Sequence, residues 1–485
     1  MQRCLCLAEQ SRGLWVFSGL TNGISRQIDG AIASVSGVFF EPVVRIGVTG
    51  LSRAGKTVFI TSLVANLLER GRMTQLRAQT DGRIEAVYLQ PQPDDTLPRF
   101  AYEDHLAAMT GDAPRWPDST RAVSELRLSF RVQPSGFFGG LSGPRVVHVD
   151  IVDYPGEWLL DLALMDKSYD EWSQATLDRI AKRSLAGEFM AYARAEDGGL
   201  RLEEPKAQAL AAHFTAYLLA ARAAGWSDCT PGRFLLPGDL AGSPVLTFAP
   251  LPKPAETPRN CLWREMERRY NAYKSKVIQP FFRDHFAKID RQIVLIDVLG
   301  AIHQGPQAFE DLRRTMTEVL TAFRPGLNGW LSGILGAKRV EKILFAATKA
   351  DHLHHAQHAN LTGIMQAMLR DAKSRADFSG AQTLAISMAS LRCTVEETIE
   401  RDGNRFDAVR GQLLDSGKQA AMYPGQLPSD PGRLLSPARE GAAKWLDVDY
   451  GLMAFAPARS QLKAGEGPPH IRLDRAAEFL IGDRL

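Results

Sequence analysis

Cysteine is scarce in this chain. The five present, Cys4, Cys6, Cys229, Cys261 and Cys393, are scattered, odd in number and never spaced as C-x-x-C. No disulfide framework and no zinc site are therefore expected, and the pattern points to a reducing compartment. Long apolar runs are missing as well. No window of about eighteen apolar residues occurs, so no transmembrane segment is expected. Near the start, Arg3 is followed only by the short stretch CLCLA and then by charge, so no secretory leader is expected either. Charge of one sign is lacking: 58 Lys and Arg face 55 Asp and Glu, a net +3, which gives no case for nucleic acid. Internal repeats and low-complexity tracts are absent. What is present, 485 residues with 45% hydrophobic and 23% charged, is the composition of a soluble globular protein. Its length suggests about three domains, and its expected location is the cytoplasm.

The order of patterns defines an organisation. Residues 1–40 repeat apolar positions at helical spacing and are expected to form a helical arm packed on the rest; a weak membrane-surface or partner helix is the alternative, disfavoured by its few Lys and Arg. VVRIGVTG (43–50) is a buried-strand signal that stops at glycine. From Thr57 the apolar residues Val58, Phe59, Ile60, Leu63, Val64, Leu67 and Leu68 recur at three and four, an amphipathic helix with its expected stop at Gly71. IEAVYL (84–89), SELRLSFRV (124–132) and RVVHVDIVD (145–153) read as strands, the last two joined by a turn at PSGFFGGLSG. Residues 157–290 are helical and polar in texture, interrupted by a loop at 226–258. Strand runs return in RQIVLIDVLG, KILFAATKAD and TLAISMAS. Strands alternating with helices predict an α/β fold with a mostly parallel sheet covered on both faces. The expected division is an N-terminal arm (1–40), a core in two parts (41–156 and 291–398), a helical insertion (157–290), and a Gly- and Pro-rich extension (399–485) packed on the core and closing with a helix.

Gly50-Leu51-Ser52-Arg53-Ala54-Gly55-Lys56-Thr57 fits G-x-x-x-x-G-K-[ST] between that first strand and helix. Glycines let the backbone wrap so that successive N–H groups, extending to Val58, point at phosphate oxygens. The positive end of the helix adds to this. Lys56 is then placed to reach the β and γ phosphates, and the Thr57 hydroxyl to ligate Mg²⁺. Arg53 is unusual in such a loop and reads either as solvent-facing or as a contact to nucleotide or partner. The strand end Asp153-Tyr154-Pro155-Gly156 is a D-x-x-G. Asp153 could hold Mg²⁺ through water, ahead of its strand-borne rivals Asp150 and Asp297, and the Gly156 N–H could sense a γ-phosphate. Thr348-Lys349-Ala350-Asp351 is a [NT]-K-x-D after a strand, flanked by His352. A carboxylate accepts two hydrogen bonds from guanine N1 and N2, which adenine cannot supply, while the Lys349 stem covers the base. A backbone N–H near Ala389 is a candidate contact to guanine O6. The segment RWPDSTRAV suits a first switch loop. There Trp116 would cover the nucleotide, Ser119 and Thr120 would approach it, the Thr120 hydroxyl would ligate Mg²⁺, and Arg121 or Arg115 would stabilise charge on the transferring phosphoryl group. Lys56, Glu157 and Arg121 are the catalytic candidates.

Taken together these residues resemble the GTPase superfamily of P-loop proteins. More closely, GVTGLSRAGKTVFITSLVANLL, DYPGEWLLDL, YNAYKSKVIQPFFRDHFAKIDRQIVLIDVL, ATKADH and PHIRLDRAAEFLIGDRL resemble the bacterial YcjX-like family of stress-associated P-loop NTPases, over nearly the whole chain. The resemblance implies a Ras-like core with extra helical segments that binds GTP and GDP with Mg²⁺ and hydrolyses GTP. It also implies a link to envelope stress and a protein effector or membrane-protein partner, with attachment to the inner membrane only through that partner. Two departures from ordinary GTPases stand out. Inserted sequence pushes the first and last motif pairs apart, and Glu157 stands where small GTPases often carry a water-orienting glutamine. A carboxylate beside the γ-phosphate is unfavourable unless screened, so slow hydrolysis is expected. The competing readings are an ATPase or P-loop kinase, for which REMERRYNAYKSK would supply an arginine-rich lid, and a nucleotide-stabilised scaffold with negligible turnover.

Overall fold

The computed structural model describes residues 41–485 apart from 52, 119–121, 135–142, 322–339, 371–379, 402, 446–448 and 460–461. The expected arm 1–40, most of the PSGFFGGLSG turn, and Ser52, Ser119, Thr120 and Arg121 lie outside the described residues.

The β-branched run after Pro42 forms β1 (Val43–Gly50), the centre of a seven-stranded sheet. The other strands are β2 (Ile84–Gln90), β3 (Ser124–Val132), β4 (Arg145–Asp153), β5 (Arg291–Ile296), β6 (Lys342–Ala347) and β7 (Gln382–Ser387), in the order β2-β3-β4-β1-β5-β6-β7. β4-β1-β5-β6-β7 run parallel, and the β2–β3–β4 meander is antiparallel. The chain is thus an α/β protein with the mostly parallel sheet of a P-loop NTPase core.

Alternating side chains serve two layers. Ile293 and Leu295 of β5, with Leu344 and Ala346 of β6, join Val44, Ile46 and Val48 beneath α1 (Lys56–Glu69) and the C-terminal helix. Val294 and Ile296, with Ile343, Phe345 and Ala347, face the opposite layer, which is continuous with the helical region between β4 and β5. α1 begins one residue before Thr57 and ends at Arg70, which takes the left-handed φ of 60°, rather than at Gly71.

The region between β4 and β5 begins with α2 (Gly156–Leu160), which is buried on every side, followed by α3 (Tyr169–Ile180), α4 (Gly187–Ala195), α5 (Glu204–Ala223) and α6 (Leu262–Tyr273). Its core is aromatic: Trp172 stacks on Tyr270 at 5.0 Å, and Phe234, Phe248 and Tyr273 pack edge to face around them. The stretch expected as a loop at 226–258 contains the helical turn Gly232–Leu235, whose Phe234 is part of that core. After β5 come α7 (Val298–Gln304) and α8 (Pro306–Thr321), and after β6 comes α9 (His358–Met368).

The C-terminal stretch holds more than loops and a helix. β8 (Thr394–Arg401), β9 (Asn404–Gln412) and β10 (Gln419–Met422) form a separate antiparallel sheet, followed by α10 (Gly432–Arg439) and α11 (Leu473–Ile481). Among the described residues, no helix is long and apolar enough to cross a membrane.

Candidate functional site

The motif residues converge at the carboxyl ends of the parallel strands. β1 delivers Gly50 into a loop in which Arg53 (φ 65°) and Gly55 (φ 85°) adopt left-handed backbone. At Gly55 this conformation opens α1 without a side-chain cap, and the first turn carries no acidic residue. The uncapped turn from Lys56 through Thr57 and Val58 is a ready anion cradle. The Ala54 N–H closes the loop on the Leu51 carbonyl at 3.1 Å. Lys56 is buried, with its Nζ donating to the Gly50 carbonyl at 2.7 Å, so the ammonium already bridges the loop it serves.

Asp153 ends β4, in register with Val48 of β1, and is buried. Its rivals are committed elsewhere. Asp150 takes a bidentate pair from Arg127 at 2.6 and 2.8 Å. Asp297 caps α7 through the Gly300 N–H at 2.9 Å and pairs with Lys349. The donors next to the loop, the Thr57 hydroxyl and the Asp153 carboxylate, are hard oxygen ligands, a set that fits Mg²⁺.

Gly156 is pressed onto the loop: a Cβ there would stand 1.8 Å from the Gly50 carbonyl oxygen. Glu157 is buried and pairs with Arg222 of α5, Nη2 to Oε1, at 2.8 Å. Leu51, Arg53, Ala54, Glu157 and Arg222 line one small cavity of about 80 Å³. Nothing local in the sequence singles out Arg222; only the folded insertion brings it to Glu157. The same short helix is fixed further along. Trp158 lies under the Arg233 guanidinium at 3.2 Å, and Asp161 accepts from the Gly232 N–H at 2.7 Å and from the Tyr273 hydroxyl. A larger cavity of about 900 Å³ lies between α3, α8 and α10 and is lined by none of the motif residues.

At the end of β6, the Thr348 N–H donates to the Ile296 carbonyl at 3.0 Å, and Lys349 takes the left-handed φ of 60°. Asp351 is buried. Its Oδ2 accepts from the Cys393 N–H at 3.0 Å and the Cys393 thiol at 2.8 Å. Burial, reinforced by the Asp351 carboxylate, pushes that thiol well above its ordinary pKa, so it remains a donor. His352 is buried with its ring edge on Phe455, and burial lowers its pKa, which keeps it neutral. Trp116 donates its Nε1–H to the Phe455 carbonyl at 2.8 Å, so the RWPD segment and the TKAD segment share one small cluster with Cys393. The backbone of Arg115 is held by the Ala108 carbonyl.

Two expectations need correction. The Ala389 N–H is committed to the Ile471 carbonyl at 3.1 Å, in a bridge that ties the β7 end to the C-terminal segment, and so does not point at a base. The arginines of the supposed lid are occupied as well: Arg264 pairs with Glu267, Arg268 with Glu265, and buried Arg269 with Glu265 and Glu204.

Residues 44–485 match the model of the YcjX-like family, DUF463. The chain is 38% identical over 458 residues to "Ras-like GTPase YcjX" of Escherichia coli, covering 91% of this chain and 96% of that protein. It is 31% identical over 467 residues to "Ras-like GTPase YcjX" of Shewanella oneidensis, covering 91% and 94% respectively.

Proposed function

The chain belongs to the YcjX-like family, and from that premise we propose that it binds GTP with Mg²⁺, hydrolyses it slowly and acts as a nucleotide-dependent switch. The observation that carries this reading is the convergence of the Gly50–Thr57 loop, Asp153, Gly156 and the Thr348–Asp351 segment at one edge of the sheet, the usual ligand edge of an open α/β fold. The relatives' name, Ras-like GTPase, supports the choice of nucleotide.

In this reading the first turn of α1, Lys56 and Arg53 hold the phosphates, Thr57 and Asp153 hold Mg²⁺, and Asp351 reads guanine with Lys349 and His352 beside it. Lys349 exchanges its Asp297 partner for the base face on binding. Bound Mg²⁺ neutralises charge on the β and γ phosphates. Water adds to the γ-phosphorus as the bond to the β–γ bridging oxygen breaks, giving GDP and inorganic phosphate. The ion pair with Arg222 supplies the screening that a carboxylate at position 157 requires. The same pair holds Glu157 away from water, which keeps turnover slow. Trp116, Ser119, Thr120 and Arg121 complete the first switch loop.

The core (41–156 and 291–398), the helical insertion (157–290) and the extension (399–485) are the functional divisions we propose, the insertion reporting nucleotide state through α2. A protein effector or membrane-protein partner would receive that signal, from a cytoplasmic protein acting in a stress response. A kinase lid has no support in the paired arginines of α6.

Calorimetry with Mg²⁺ tests the reading. GTP is expected to bind in preference to ATP, and Asp351→Asn to abolish the preference with a swing towards xanthine nucleotide. Equal ATP binding untouched by the substitution would overturn it. Phosphate release under saturating GTP then separates a slow enzyme from a scaffold.

A further inference from the structure

We infer that His354, His355 and Glu396 form a binding site for one divalent transition ion of the zinc class, which fastens the segment following Asp351 to β8. The ligand atoms of the three side chains all lie within 4.8 Å of one another. His355 Nδ1 is 2.7 Å and His354 Nε2 is 3.7 Å from the same oxygen, Glu396 Oε2, and the two rings stand 4.2 Å apart between centroids. Ligands about 2.0–2.1 Å from a tetrahedral ion are spaced about 3.3 Å apart. One pair is therefore about 0.6 Å too close and the other about 0.4 Å too far. The His355 side chain, 68% exposed, is free to take up that adjustment.

A supporting group is also in place. His354 Nδ1 accepts only a long bond, 3.4 Å, from the Ala356 N–H, and Asp407 Oδ2 of β9 stands 3.9 Å from the same nitrogen. Coordination through Nε2 would put the proton on Nδ1, which gives up the Ala356 bond, and Asp407 would close from 3.9 Å to accept it, forming the carboxylate–histidine–metal relay that orients a ligand ring. Arg392 lies 3.8 Å from the other Glu396 oxygen, Oε1, and leaves Oε2 to the histidines.

Two imidazoles and one carboxylate favour a borderline ion such as Zn²⁺ over Mg²⁺, so the site does not compete with the metal at Thr57 and Asp153. Its position gives it a role. Asp351 is already tied to the start of β8 by Cys393 and Thr394. A second tie from His354 and His355 to Glu396 closes the same seam. The site stands on its own side chains whichever nucleotide the chain binds.

The test uses the full chain, purified without a polyhistidine tag and stripped with chelator. Titration with Co²⁺ is expected to give visible d–d absorption without a thiolate charge-transfer band. Metal analysis after reloading with Zn²⁺ and removing the excess is expected to give one Zn²⁺ per chain. His355→Ala and Glu396→Gln should lose the ion while keeping the wild-type circular dichroism. Asp407→Asn should weaken binding about 10- to 100-fold, and Cys393→Ser should leave it unchanged. Three results would overturn the site: no stoichiometric ion, an ion that survives both His355→Ala and Glu396→Gln, or a charge-transfer band lost in Cys393→Ser. The last would put the metal in the buried trio Asp351, His352 and Cys393.

Discussion

Arg222 and Glu157 meet where charge is most consequential, at the cavity beside the phosphate loop. Removing the arginine leaves a buried carboxylate without its partner, a loss of about 1–3 kcal/mol. Arg222→Ala should lower the unfolding free energy by that amount, and adding Glu157→Gln should recover most of it. Urea unfolding of the four members of this cycle measures the coupling directly; additive losses would show that the two side chains do not act as a pair. Neighbouring residues vary in how openly the sequence announces them. Lys56, Thr57, Asp153 and Asp351 stood out in the sequence as candidates because the chemistry proposed for them requires fixed spacing next to a strand end. Arg222 did not, since an arginine in an alanine-rich helix looks like any solvated side chain until the helix is docked. Cys393 was equally silent, being a lone thiol that gains meaning only from Asp351 2.8 Å away.

At the scale of elements, α2 and the turn after it are enclosed. Gly156 backs onto Gly50, Gly232 onto the Glu157 carbonyl, and Asp161 sits among Gly232 and Tyr273. Burial raises the Asp161 carboxyl to about 7, against the opposing hydrogen bonds from Tyr273 and Gly232. Its unfolded value is about 3.9. Between those two values the native chain holds a proton that the unfolded chain has released, so stability falls as pH rises from about 4 to 7, by up to about 1.4 kcal/mol per unit. Asp311, raised to about 7 by burial and by the Asp228 carboxylate, slopes the same way. Asp161→Asn should therefore flatten the fall by up to about 1.4 kcal/mol per unit, measured by chemical denaturation across that range; an unchanged slope would rule the assignment out. The buried strands β1, β4, β5 and β6 were readable as apolar runs. The β8–β10 sheet was not: TVEETIER and NRFDAVRGQ are so charged on their open face that, with Gly and Pro around them, they look like tail.

Across the whole molecule, the central sheet is closed by its last helix. Arg291 of β5 and Lys342 of β6 both pair with Asp483, and the Arg291 guanidinium also donates to the Leu480 carbonyl. Against the cost of burying it, hydrogen bonds from Arg291 and Lys342 hold the Asp483 carboxyl well below the usual carboxylate range. Ligand held by β1, β4 and β6 together should then stabilise sheet and insertion as a unit. GTP with Mg²⁺ at about 100 times its dissociation constant should add about 2.7 kcal/mol to unfolding, with ATP adding little at the same concentration. A calorimetric trace in which only part of the transition moves would show that the insertion unfolds by itself. The central position of β1 has a further consequence, for biosynthesis. Its backbone at Arg45 bonds to Asp290, 245 residues later. At roughly 5–20 residues per second a ribosome takes about 12–50 s to deliver that neighbour. For that interval the apolar edge of β1 is a nascent strand without its second partner, so the loop that follows β1 matures late in translation.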